Sequence, residues 1–84
     1  MRAGGLLERM RTNLRADWTI ADIERVCREC GLTITAPRRG SHYKIRDPQG
    51  GPTLTVPARR PVKPIYVKML IALADQIRRR KDDG

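Results

Sequence analysis

One short stretch of this chain concentrates side chains that could act on a phosphodiester: Arg38-Arg39-Gly40-Ser41-His42-Tyr43. His42 is the single histidine among 84 residues. It sits at the start of an alternating run, behind a flexible Gly40-Ser41 pair and between cations. A neutral imidazole can draw a proton from a ribose 2′-hydroxyl, and arginine or lysine can offset the charge that then develops on phosphorus. Lys44 falls on the same strand face as His42, because strand side chains alternate. It is the candidate assisting group, to supply a proton or stabilise charge. Tyr43 alternates toward the core. On spacing alone an ordinary surface histidine is the simpler reading, since one imidazole in a basic strand is a weak signal.

The charge around His42 is local. The formal net charge is +9, from 18 basic and 9 acidic residues. Residues 38–68 hold eight of the cations against one acid, Asp47, and so carry +7 of the total. A cationic patch of this kind fits a polyanion: RNA, DNA or anionic lipid. Within it Arg38, Arg39, Gly40, Ser41, Lys44, Arg46, Arg59, Arg60 and Lys63 are the expected RNA contacts. Phosphate contacts give affinity that weakens with salt, and no sequence choice. Arg78-Arg79-Arg80-Lys81 reads instead as a solvated helix end. Two-metal nucleases need clustered carboxylates, which residues 38–68 lack, so the expectation is chemistry without metal or cofactor. Cys27-Arg28-Glu29-Cys30 has no second ligand pair and lies at a helix C-terminal end, where the dipole disfavours thiolate. It reads as two small apolar core residues.

The elements that must position these groups are legible in outline. A chain of 84 residues makes one domain with one modest core. It has no apolar run of about 20 residues to span a bilayer, and no early apolar stretch of signal-peptide length. The expected location is cytoplasmic, with no membrane partner. Thr19 and Asp22 are spaced as a capping box, and Trp18 and Ile23 as a hydrophobic staple. Ile20, Ile23, Val26, Cys27 and Cys30 then form one helical face, which Gly31 ends, with Leu32 packing back on Cys27. The polar face of this helix mixes Asp22, Glu24 and Glu29 with Arg25 and Arg28, which suits a DNA major groove poorly.

Three short alternating runs follow: Leu32, Ile34 and Ala36; Tyr43 and Ile45; Leu54 and Val56. The turn signal Asp47-Pro48-Gln49-Gly50-Gly51-Pro52 separates the last two, as in an antiparallel meander. Pro64 suits the first turn of a closing helix, with Ile65, Tyr66, Met69, Leu70, Leu73 and Ile77 expected toward the core. The predicted class is α+β: a three-stranded antiparallel sheet with two helices on one face, in the order α-β-β-β-α of double-stranded RNA-binding domains. That packing buries Tyr43, Ile45, Leu54 and Val56, and leaves His42, Lys44 and Arg46 in water. Residues 18–81 form this domain. Residues 1–17 form an extension whose Leu6, Leu7, Met10 and Leu14 suit either a short helix or a tail that orders on a partner.

From Trp18 to Ile77 the chain resembles the HicA toxins of bacterial toxin–antitoxin pairs. The matching stretches are Trp18-Thr19-Ile20, Leu32 after Cys30-Gly31, Arg38 to Tyr43, Leu54-Thr55-Val56-Pro57 and Val62 to Val67. The resemblance implies a double-stranded RNA-binding fold and ribonuclease cleavage of mRNA, with the family's catalytic histidine mapping onto His42. It also implies a HicB-like antitoxin partner that covers the active site in a hetero-oligomer. The chain departs from many relatives at Leu32, where they carry Phe, and at Ala58-Arg59-Arg60, where they carry a second histidine. A two-histidine mechanism is therefore not implied for this chain. A non-catalytic double-stranded RNA-binding module is the alternative reading, since the fold order and the basic segment alone would serve it.

Overall fold

The computed structural model describes residues 4–83. Its first helix, α1 (Gly4–Thr12), lies in the segment for which the sequence left helix and tail both open. It is a helix because it has a core to bury into. Leu7 and Met10 are fully buried and Leu6 nearly so, in the same cluster as Ile23, Ile45 and Leu70. Arg11 ties it to the closing helix by a two-pronged bond to Asp75, at 2.9 and 2.8 Å.

The second helix, α2 (Ile20–Cys30), starts and stops where its caps dictate. The Asp22 N–H donates to Thr19 Oγ1 at 3.2 Å, and the Thr19 N–H donates back to Asp22 Oδ2 at 2.9 Å, so two otherwise orphaned donors are satisfied. Gly31 takes the left-handed conformation (φ 82°) that ends the helix, and the Leu32 N–H reaches the Cys27 carbonyl at 2.9 Å. Ile23, Val26 and Cys27 are its buried face. Burial pushes the Cys27 thiol up to about 12, so it stays protonated and packs as a small apolar group.

The strands β1 (Thr33–Thr35), β2 (His42–Arg46) and β3 (Leu54–Pro57) form an antiparallel sheet in sequence order. The fold is α+β, and α1 precedes the expected helix–three strands–helix order. Ile45, Leu54 and Val56 point into the core, while Tyr43, expected there too, is only half-buried. His42, Lys44 and Arg46 are on the exposed face, as alternation requires.

The closing helix, α3 (Pro64–Asp83), begins at Pro64 but turns a different stripe inward than its periodicity suggested. Val67, Leu70, Ile71, Leu73, Ala74 and Ile77 are buried, whereas Ile65 and Met69 are 55% and 48% exposed. The expected core positions of Ile65 and Met69 are thus corrected. The reason is α1: its Leu7 and Met10 give α3 a second packing partner beside the sheet, which rotates the buried arc toward Val67, Ile71 and Ala74.

The arginine run at the end of α3 is in part structural. Arg80 forks onto Asp47 at 2.6 and 3.1 Å, and Arg78 reaches Glu8 at 3.2 Å. The Asp47 side chain is buried, and it also accepts from the Gln49 N–H at 2.9 Å, which locks the β2–β3 turn. The Arg80 guanidinium and then the Gln49 N–H hold the Asp47 carboxyl below its ordinary range; Arg11 does the same for Asp75. The unfolded chain therefore takes up these protons first. The stabilisation is complete above the ordinary carboxyl value and is lost as pH falls through the lower folded values. The thermal midpoint is expected to hold from neutrality to about pH 5 and to drop below about pH 4. Circular dichroism melts against pH check this, and Asp47→Asn is expected to melt lower at neutral pH with a shallower acid fall.

Candidate active site

His42 is placed by backbone pairing on one side and by an anchored loop on the other. It opens β2 opposite Pro57 of β3. One step beyond, the Ala58 N–H donates to the Ser41 carbonyl at 2.6 Å and continues the ladder past the strand ends. Gly40, in the left-handed region (φ 76°), turns the chain from Arg38-Arg39 into Ser41-His42.

The loop from Ala58 to Lys63 is held at two points. Val62 is buried, and its N–H donates to the Trp18 carbonyl at 2.8 Å. Trp18 itself is fixed by its indole N–H on the Asn13 carbonyl at 2.8 Å. Arg60 forks onto Asp17, with Nε at 3.1 and 3.0 Å from the two carboxylate oxygens. This pair lowers the Asp17 carboxyl and raises the Arg60 guanidinium, through their hydrogen bond first. Arg60, expected at the RNA backbone, is paired with an acid that lies distant in sequence and keeps an exposed side chain.

Two clefts lie against His42, and the anchored loop forms a wall of the first. One, of about 340 Å³, is lined by Ser41, His42, Pro57, Arg59, Lys63 and Tyr66. The other, of about 410 Å³, is lined by Thr35, Ala36, Pro37, Arg38, Arg39, His42 and Lys44. His42 is the one side chain that lines both. Among the described residues, no three His, Cys, Asp or Glu side chains gather as a metal-binding group.

Compared with protein-family models, curated proteins and solved structures, the chain finds no match in any of the three. The fold brings Arg38, Arg39, Ser41, Lys44, Arg59 and Lys63 to the walls around His42. It leaves Arg46 and Arg60 outside both clefts: Arg46 stands at the far end of β2, opposite Thr33. Gly40 lines neither and acts through the turn. Tyr66 is the residue that sequence reasoning missed, because its position in an apolar helical repeat read as core. It is half-buried and lines the His42 cleft from the first turn of α3. Its place three residues after Lys63, across a helix-starting Pro64, was the available signal.

Proposed function

We propose that this chain is an endoribonuclease toxin that cuts mRNA with His42 as general base and without a metal. The observation that carries the proposal is an exposed imidazole shared by two cation-lined clefts. A strand of RNA lying across the sheet end has Arg38, Arg39 and Lys44 on one side of His42 and Arg59 and Lys63 on the other. A cut within the strand, rather than at its end, is the mode proposed for a site with cationic walls on either side of His42.

The chemistry follows from a base beside neutralised phosphate. His42 takes the 2′-hydroxyl proton, and the 2′-oxygen bonds to phosphorus. The bond from phosphorus to the 5′-oxygen breaks, and that oxygen takes a proton, with Lys44 as the proposed donor. The products are a 2′,3′-cyclic phosphate and a 5′-hydroxyl. The surrounding arginines and lysines offset the charge that grows on the phosphoryl oxygens.

The resemblance to HicA toxins supports a HicB-like antitoxin as partner. An exposed cationic site suits an acidic or groove-matching inhibitor that covers His42 in a hetero-oligomer. Purified protein is expected to cleave single-stranded RNA in excess chelator and to leave DNA of the same sequence intact, since DNA has no 2′-hydroxyl. Gel analysis with end-group mapping checks this. RNA that is bound and never cut would leave the non-catalytic RNA-binding module, and cleavage abolished by chelator would overturn the metal-free step.

A further inference from the structure

We infer that the groove between β3 and α3 is a nucleobase subsite, which seats one base of a single-stranded RNA whose phosphate lies in the His42 cleft. The inference rests on the reading of that cleft as a phosphodiester site, and it adds where the neighbouring base goes. The groove is about 420 Å³, and its walls include Leu54, Thr55, Tyr66, Met69, Ala72 and Leu73. Tyr66 belongs both to this apolar groove and to the cleft that holds Arg59, Lys63 and His42. An apolar slot with an aromatic wall therefore opens directly beside a cationic one.

A nucleotide has the matching pair of chemistries: an anion joined by a short linker to a flat ring whose faces stack on apolar surface and whose edges carry hydrogen-bonding groups. The Tyr66 ring and the exposed Met69 side chain offer surfaces for such a ring. Stacking on an aromatic face tolerates any base, so affinity comes first. The Thr53 and Thr55 hydroxyls at the groove supply polar groups that can favour some bases over others. A paired base stays within its stack, so the subsite selects single-stranded segments.

A protein strand is the competing occupant, and the open edge of β3 argues against it. The Ala58–Ser41 bond fixes which β3 residues face β2; by alternation Leu54 and Val56 do, and Thr55 turns its N–H and carbonyl outward. Pro52 and Pro57 bound that edge, so the outward ladder is too short to hold an added strand firmly. A second copy of the chain would bring +9 against +9.

The test uses His42→Ala protein, so that RNA is bound and not consumed, and a short labelled single-stranded RNA at fixed salt. An abasic ribose is walked along the RNA, and affinity is read by fluorescence anisotropy. One abasic position is expected to weaken binding about tenfold, the scale of one lost base–aromatic stack. Tyr66→Leu is expected to weaken intact RNA similarly and to make that abasic position silent, which is the signature of direct contact. Met69→Ser, at an exposed position, is expected to give a smaller loss of the same kind. Uniform affinity along the scan would overturn the subsite, whether or not the wild-type protein cleaves. A flat scan in which Tyr66→Leu and Met69→Ser instead change the oligomeric state in size-exclusion chromatography would assign the groove to protein contact. Base-dependent binding by a protein that never cuts RNA would uphold the subsite and reject the nuclease.

Discussion

His42→Ala is expected to reduce cleavage of single-stranded RNA by about a hundredfold to ten-thousandfold, the contribution of a positioned general base. RNA affinity is expected to stay near wild type, because the cations on the cleft walls are untouched. Stability is expected to hold as well, since His42 is exposed at the start of β2 and its loss opens no cavity. The pattern of activity lost, binding kept and fold kept is what separates a catalytic imidazole from a surface one. Initial rates on a fluorogenic RNA, beside anisotropy and a melt, read all three quantities. Undiminished cleavage by the variant would end the general-base assignment. Lys44→Ala is expected to fall between the variant and the wild type, because other cations in the clefts partly replace its charge.

Met10→Ala is expected to cost about 2–5 kcal/mol of folding stability, the range for truncating a fully buried methionine. Domains of this class hold about 5–15 kcal/mol in all. A chain of 84 residues buries a smaller share of its surface than a larger domain, so the loss is severe. Urea unfolding is expected to show a lower midpoint at an unchanged slope. Arg9→Ala, one residue away on the exposed side of α1, is expected to move stability by no more than about 0.5 kcal/mol. Equal effects of the two substitutions would show that α1 is not part of the core. The prediction also bears on the site, because α1 packs on α3, and α3 carries Tyr66 into the His42 cleft.

The sequence by itself determined the parts governed by neighbours in the chain. The start and stop of α2 follow from Thr19, Asp22 and Gly31, whose hydrogen bonds close over three or four residues. The alternation that puts Ile45 inside and His42, Lys44 and Arg46 outside follows from strand geometry. The concentration of cations in residues 38–68 is a matter of composition alone. What the tertiary structure decided is everything set by partners distant along the chain. It chose a helix for residues 4–12, turned Met69 outward, and drew Arg60 to Asp17 and Arg80 to Asp47. It also made Tyr66 a wall of the His42 cleft. The physical reason is that a helical repeat specifies only that one face is apolar. Which arc of that face is buried depends on what packs against it, and which guanidinium is free depends on where the few carboxylates come to rest.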